Sequence, residues 1–318
     1  MTMRVLFGTA VVVALAVGAG APAKADQIIY WTQFSGQKLM QADITTHTNT
    51  VLESTPAAAG YPDSLIFDTH GNIVYSEYGV YTGTAGQVRS FTPSPPSDSL
   101  VRGGLSAETT DLALDPGGTT VLVSNRGAGE LDRVALVGGA LTVLKSGFSG
   151  DGLNGIAYDT AGHLFVVDNA TRHVLQLDPV TGATLKTISV GGFSYLDGMT
   201  FDSVTGNLFI ANGGCMEEIN PVAGTDLGCK GSFSSIDGLE SDGNGNIIVA
   251  DVGAGEIGNY AIATNLSTNL IAAPGLDDIA PVAGLGAPPP SVPEPASLAL
   301  LGSGLLGFGL VRGRKKQT

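Results

Sequence analysis

Apolar runs and turn residues alternate along this chain with a long period. Five apolar stretches end on an aspartate: YPDSLIFD at Asp68, ETTDLALD at Asp115, GLNGIAYD at Asp159, YLDGMTFD at Asp202 and SIDGLESD at Asp242, spaced 40 to 47 residues apart. Each is followed by a glycine-containing turn and then a more continuous apolar run: NIVYSEYG, TVLVSNRG, HLFVVDNA, NLFIANGG and NIIVADVG. A third run comes next (QVRSF, LDRVAL, HVLQLD, MEEIN, IGNYAI), and usually a fourth (SLVRG, LTVLKSG, TLKTISV, TNLIAA). Short β-branched and aromatic runs bounded by Gly, Asp and Asn read as strands. Four of them per repeat of about 40 to 50 residues is the pattern of a β-propeller blade.

The repeat also settles what its glycines and aspartates are for. A phosphate cradle needs a helix after its glycines, and here a strand follows each time. Asp242-Gly243-Asn244-Gly245-Asn246 begins like a calcium loop, but Ile247 stands where the loop's glycine belongs, so a hairpin turn is expected. The aligned aspartates are expected to accept backbone N–H groups in the turns that follow them.

Five complete units leave two fragments. IIYWTQ, KLMQADI and TVLES near the start supply three strands without a first, and GLDDIAPV near the end supplies a first strand with nothing after it. Joined, they make a sixth blade, and the ring loses the exposed edges an open sheet would carry. The fold expected is all-β: a six-bladed β-propeller of four-stranded antiparallel blades, closed by joining the N- and C-terminal strands, over residues 26–286. Pro93-Ser94-Pro95-Pro96 lies between two strand-like runs and reads as a surface loop. Residues 287–292, which include Pro288 to Pro290, read as a linker.

The two ends read as addresses. Arg4, an apolar run and Ala23-Lys24-Ala25 form a secretory signal over residues 1–25, the alternative being a membrane anchor. Residues 293–318 hold Pro293-Glu294-Pro295, an apolar segment from Ala296 to Val311, and Arg312, Arg314, Lys315 and Lys316. This tail closely resembles the PEP-CTERM sorting signal of Gram-negative bacteria. The resemblance implies recognition by an exosortase, processing near the Pro-Glu-Pro motif, transient residence of the apolar helix in the inner membrane, and delivery to the cell surface or extracellular matrix. A simple tail anchor is the alternative.

Charge narrows the partners. Between Asp26 and Pro293 there are 9 Lys and Arg against 28 Asp and Glu, a net charge near −19. Such a surface repels phosphate backbones, which excludes nucleic acid as a partner and leaves cations, polysaccharide and surface proteins. The 2 cysteines, Cys215 and Cys229, flank a hairpin turn centred near Val222. In an exported protein this favours a disulfide stapling one blade over two free thiols.

The position five before each aligned aspartate carries the candidate chemistry. It reads Asp63, Thr110, Asn154, Asp197, Asp237 and, by the closure argument, Asp277. All six fall where the chain enters an innermost strand, so they should ring one mouth of the central channel. Two readings stay open: turn residues satisfying backbone donors, or a metal site in which Asp63, Asn154, Asp197, Asp237 and Asp277 hold a divalent cation, calcium or zinc. The four histidines, His47, His70, His163 and His173, are scattered, and there is no His-Glu-x-x-His pair and no Gly-x-Ser-x-Gly elbow.

LNGIAYDTAGHLFVVD and LDGMTFDSVTGNLFIAN resemble the repeats of NHL propellers and of the SMP-30/gluconolactonase family, and YWTQFSGQKLMQADI resembles a YWTD-type blade. In the lactonase family a Glu, two Asn and an Asp hold a divalent metal that polarises a sugar lactone and its attacking water. Asn154 matches one Asn. Asp197 matches the Asp, which implies a role as catalytic base as well as ligand. The second Asn falls at Thr110, and the segment that supplies the Glu has no counterpart, leaving Asp277 or Asp278 to substitute. Function is therefore expected to be that of an exported binding module with a cation at the channel mouth. The alternative is a metal-dependent lactonase-like hydrolase.

Overall fold

The computed structural model describes residues 27–54, 60–150, 152–192 and 195–281. Its strands form six four-stranded antiparallel sheets. The first blade contains β1 (Ile28–Gln33), β2 (Lys38–Asp43) and β3 (Thr48–Ser54). The second runs β4 (Tyr61–Phe67), β5 (Ile73–Tyr78), β6 (Gly86–Pro93) and β7 (Pro96–Leu105). The third has β8 (Thr109–Leu114), β9 (Thr120–Asn125), β10 (Glu130–Ala135) and β11 (Leu141–Ser146). The fourth has β12 (Leu153–Tyr158), β13 (Leu164–Asp168), β14 (His173–Leu177) and β15 (Thr184–Ser189). β16 (Leu196–Asp202), β17 (Asn207–Asn212), β18 (Cys215–Asn220) and β19 (Thr225–Lys230) make the fifth. β20 (Ile236–Ser241), β21 (Asn246–Asp251), β22 (Glu256–Ala261) and β23 (Leu266–Ala272) make the sixth. Finally β24 (Leu276–Pro281) pairs with β1, Trp31 opposite Ile279, and completes the first blade as its innermost strand. The fold is the six-bladed propeller expected, closed by the two ends of the chain.

Burial explains why the second run of each repeat is the most continuously apolar. β13 and β17 are buried at every position, because each second strand lies between two neighbouring blades. The outer β15 and β19 are mostly open to solvent. Their weak apolar signal is why β19, TDLGCK, is hard to recognise in the sequence. The core is not central; it consists of six clusters, one in each gap between consecutive blades. In the closing gap Ile29, Trp31 and Ile279 of the first blade pack on Ile248, Ala250 and Ile257 of the sixth.

The turns behave as expected. Asp68 Oδ1 accepts the N–H groups of His70 and Asn72, both at 2.8 Å. Asp159 Oδ1 does the same for Ala161 and His163, at 2.9 and 2.8 Å, and Asp242 Oδ1 for Asn244 and Asn246, at 2.7 and 3.1 Å. His70 and His163 are thus turn residues. Pro93 and Pro96 face each other across the β6–β7 turn, inside one blade and not at a boundary. Cys215 and Cys229 form the expected disulfide between β18 and β19, with Cα atoms 5.8 Å apart. Among the described residues no helix is long and apolar enough to cross a membrane. The expected signal at 1–25 and apolar segment at 296–311 lie outside them.

One buried acid stands apart from the channel. Glu77 on β5 is fully buried between the first two blades, and neither carboxylate oxygen has a hydrogen-bond partner. Arg89 approaches to 3.9 Å but is committed to Asp98 and the Tyr75 hydroxyl, at 3.0 and 3.2 Å. Burial pushes the Glu77 carboxyl up to about 7, Arg89 offsetting part of the shift and Asp98 adding to it.

Trp31 is fully buried in the closing gap, so Trp31→Ala should cost about 3–5 kcal/mol and lower Tm by roughly 10 °C in a calorimetric scan; an unchanged Tm would contradict ring closure through this contact. For Glu77, native protein keeps a proton that the unfolded chain releases between about pH 4.5 and 7. The stability this contributes is present in acid and is lost as pH rises through that window, by up to about 3 kcal/mol. Denaturant midpoints from pH 5 to 8 should therefore fall less steeply for Glu77→Gln than for wild type.

Candidate functional site at the channel mouth

Every innermost strand breaks register at the same place. The pairing skips between Pro62 and Leu65, Thr109 and Leu112, Leu153 and Ile156, Leu196 and Met199, and Ile236 and Leu239. In the first blade the skip lies between Gln33 and Trp31, opposite Leu276 and Ile279. The two residues in each skip are the mouth residue and its successor. Such a bulge re-aims side chains that a regular strand would alternate across the sheet. Buried hydroxyls on the second strands hold the skips in place. The Thr32 hydroxyl accepts from Asp278 N at 2.9 Å and donates to Asp63 O at 2.7 Å. Ser76 Oγ accepts from Ser64 N at 3.0 Å, and Ser124 Oγ donates to Asn154 O at 2.5 Å.

Glycine follows the mouth residue in three blades because adjacent innermost strands nearly touch there. A Cβ on Gly155 would lie 2.5 Å from Asp197 O, one on Gly198 2.9 Å from Asp237 O, and one on Gly238 1.7 Å from Asp278 Oδ1. No side chain fits at these distances. The other three blades place Ser64, Asp111 and Asp278 at that level. Asp111 accepts from Ser64 Oγ at 3.0 Å, Ile156 N at 2.6 Å and Leu112 N at 2.8 Å.

Of the six mouth positions, Asp63, Thr110, Asp197 and Asp237 line one cavity of about 20 Å³ with Asp111 and Asp278 beneath them. That is room for about one water or one ion. The carboxyls of Asp197 and Asp277 each lie within hydrogen-bonding reach of that of Asp237, and Asp277 Oδ2 is buried with no hydrogen-bond partner. Burial, then repulsion from Asp237, raises the carboxyls of Asp63, Asp197 and Asp277 well above the ordinary range. Burial and the Asp111 charge do the same to Asp278. Burial pushes Asp111 and the deeper Glu240 up to about 7. Carboxylates this close require a shared proton or a cation between them. No three mouth carboxylates present oxygens all within 4.8 Å of one another; among the described residues Cys215, Glu217 and Cys229 meet that spacing, and the disulfide takes both sulfurs.

Two mouth residues are committed elsewhere. Asn154 is fully buried, its Nδ2 donating to Leu196 O at 2.7 Å and its Oδ1 facing Arg126 Nη1 at 3.5 Å. The buried Thr110 hydroxyl points to Ser124 O at 3.5 Å.

Sequence reasoning missed Arg126, which lies in the β9–β10 turn and reaches across the mouth. Its Nη1 donates to Tyr195 Oη at 2.8 Å, Nη2 to Tyr78 Oη at 3.3 Å, and Nε lies 3.4 Å from Glu108. Its positive charge opposes the rise at Asp63. Beside it an aromatic pad spans two blades. Phe34 stacks on Tyr61 at 4.8 Å, and Tyr81, 70% exposed, stands edge-on to both at 5.9 and 5.8 Å. Tyr78 joins the pad to Arg126, whose guanidinium lies 5.9 Å above its ring. The mouth is an acidic well with one internal cation and an aromatic rim. Its donors are all oxygens, the kind a hard divalent cation takes, but they stand wider apart than the ligands of one ion.

Comparison with known proteins agrees with the fold and the tail. A PEP-CTERM protein-sorting motif matches residues 291–315, which implies sorting by an exosortase to the cell surface or the extracellular space. No curated protein matches the chain. Among solved structures, a chain of a nidogen/laminin complex aligns with TM-score 0.66 at 14% identity, covering 80% of this chain and 97% of that one. A catalytically inactive virginiamycin B lyase from Staphylococcus aureus, solved with quinupristin, aligns with TM-score 0.53 at 12% identity over 68% of this chain and 71% of that one. A protein of unknown function from Bacteroides caccae aligns with TM-score 0.59 at 14% identity, covering 81% and 99%. Likeness at these identities is a likeness of fold. The chain is a six-bladed β-propeller carrying a PEP-CTERM sorting motif.

Proposed function

We propose that this is an exported binding module of a Gram-negative cell surface or extracellular matrix, taking its ligand at the channel mouth over a divalent cation held in the acidic well. One observation carries the reading. Seven carboxylates, Asp63, Asp111, Asp197, Asp237, Asp277, Asp278 and Glu240, crowd a channel in which their charges are felt by one another. Arg126 supplies one positive charge against them. Asp197, Asp237 and Asp63, which line the cavity, and Asp277 beside Asp237 are the residues that would hold the ion. They would have to draw together to do so, since no three of them present oxygens within 4.8 Å of one another. Bound there, the ion would relieve the repulsion among them and offer open coordination positions to oxygen atoms of a ligand arriving from solvent. The aromatic pad would add a face for stacking apolar or sugar rings, which fits extracellular polysaccharide or a surface protein as partner.

The hydrolase reading would use the same ion as Lewis acid and Asp197 as base. It has less support, because Asn154 is committed to Leu196 and Arg126 and Thr110 offers only a buried hydroxyl.

Calorimetric titration of the metal-stripped protein should show one saturable site for calcium or zinc. Asp197→Asn and Asp237→Asn should each weaken it at least tenfold, while Tyr81→Ala on the rim leaves it unchanged. Absence of any saturable site for either ion would overturn the cation. A lactone assay on the loaded protein separates the second reading: turnover lost in Asp197→Asn would favour the hydrolase, and no turnover the binding module.

A further inference from the structure

The channel is narrow at the mouth and wide at its other end. Each innermost strand starts at the mouth and runs to the opposite face of the ring. The second halves of these strands enclose a cavity of about 280 Å³, against about 20 Å³ for the well. The well has room for one water or ion. The far cavity is close to the lower end of the range for small-molecule pockets, roughly 300 Å³.

The sequence accounts for the extra room. Three residues after each mouth residue, the ring reads Ile66, Ala113, Ala157, Thr200, Glu240 and Ala280. Alanine stands at three of these positions, and the first five line the cavity. Short side chains leave the space open, and Glu240 is the one charged residue that lines it. No Lys, Arg or His is among the lining residues.

Glu240 is fixed in place from one side. The Thr200 hydroxyl accepts from Ser241 N at 3.2 Å, which turns its own proton toward Glu240 Oε2 at 2.8 Å. The acid is nonetheless only partly buried, because it borders the cavity. Burial raises its carboxyl to about 7, the Thr200 hydroxyl offsetting part of the shift and Asp111 adding to it. Arg126 belongs to the other end of the channel, held by Tyr195, Tyr78 and Glu108.

The rest of the lining divides into polar and apolar parts. Each innermost strand is the inner edge of its sheet, so a row of N–H and C=O groups that no strand pairs faces the axis. Toward the far opening stand Leu114, Tyr158 and Phe201, at or next to the ends of their strands. A carboxylate with carbonyl oxygens around it suits a donor-rich cation, and the apolar wall beyond suits a hydrocarbon chain. A bare metal ion would leave that wall uncovered, and a neutral or anionic ligand would leave Glu240 without a counter-charge.

We propose that the far end of the channel binds a small primary alkylamine, its ammonium group against Glu240 and its chain running outward past Tyr158 and Phe201. The cavity encloses such a molecule whole, and the well is too small to admit it from the mouth. This site is separate from the acidic well and does not depend on a cation there.

Calorimetric titration of the full chain at about pH 8 tests it with n-butylamine as the probe, since the amine is then still protonated and Glu240 ionised. One saturable site is expected, with n-butanol, which has the same chain without the charge, at least tenfold weaker. Glu240→Gln keeps an oxygen to accept from Thr200 and should lower butylamine affinity at least tenfold, to the level of butanol. Hydrogen exchange on the wild-type protein locates the site even if that variant fails to fold. Butylamine should slow amides in residues 156–158 and 199–201 and leave those in 79–85 and 126–129 unchanged. No saturable binding, equal affinity for amine and alcohol, undiminished binding in a folded Glu240→Gln, or slowing confined to the mouth turns would each overturn the proposal.

Discussion

Closure of the ring is the constraint on which both the core and the mouth depend. β24 must find β1 across nearly the whole domain, and Trp31 opposite Ile279 marks where they meet. Without that pairing the first blade lacks its innermost strand and the closing gap its apolar contents. The mouth would also lose two of its carboxylates. The Thr32 hydroxyl shows how tightly these consequences are linked. It comes from the N-terminal strand, accepts from Asp278 on the C-terminal one, and donates to Asp63 in the next blade. A single buried hydroxyl thereby sets the position of two acids from opposite ends of the sequence.

The same geometry generates the electrostatic problem that the function uses. Six innermost strands converge on one axis, and three of them approach so closely that only glycine follows the mouth residue. Acids placed there are desolvated and repel one another. Their raised affinity for protons and their affinity for a counter-cation have one cause: either would relieve the crowding. Arg126 relieves part of it from within, held by Tyr195, Tyr78 and Glu108. The well is thus left with more acidic groups than one guanidinium balances, and with a space of about one ion.

Much of this was legible in the sequence, because a repeat makes each blade a check on the others. The aligned aspartates gave the turns, the buried second strands gave the period, and the complementary end fragments gave the closure. The mouth positions followed by counting five residues back. What escaped depends on distances between blades. Arg126 looks like any turn residue until the β9–β10 turn is placed beside Asn154 and Tyr195. Asp111 and Ser64 occupy a level that is glycine in three other blades, so no common motif points to them. Phe34, Tyr61, Tyr78 and Tyr81 come from two turns, a strand start and a strand end, and become one pad only when the first two blades are side by side. Conversely, Asn154 matched a ligand by position, yet its amide is used to hold the neighbouring strand.

Anomalous diffraction from crystals grown with manganese, a hard-cation stand-in, would test the central claim most directly. A single strong peak in the well, bounded by Asp63, Asp197 and Asp237, is the result this account requires. Ordered water alone at that position, with Arg126 shifted to meet the carboxylates, would contradict it.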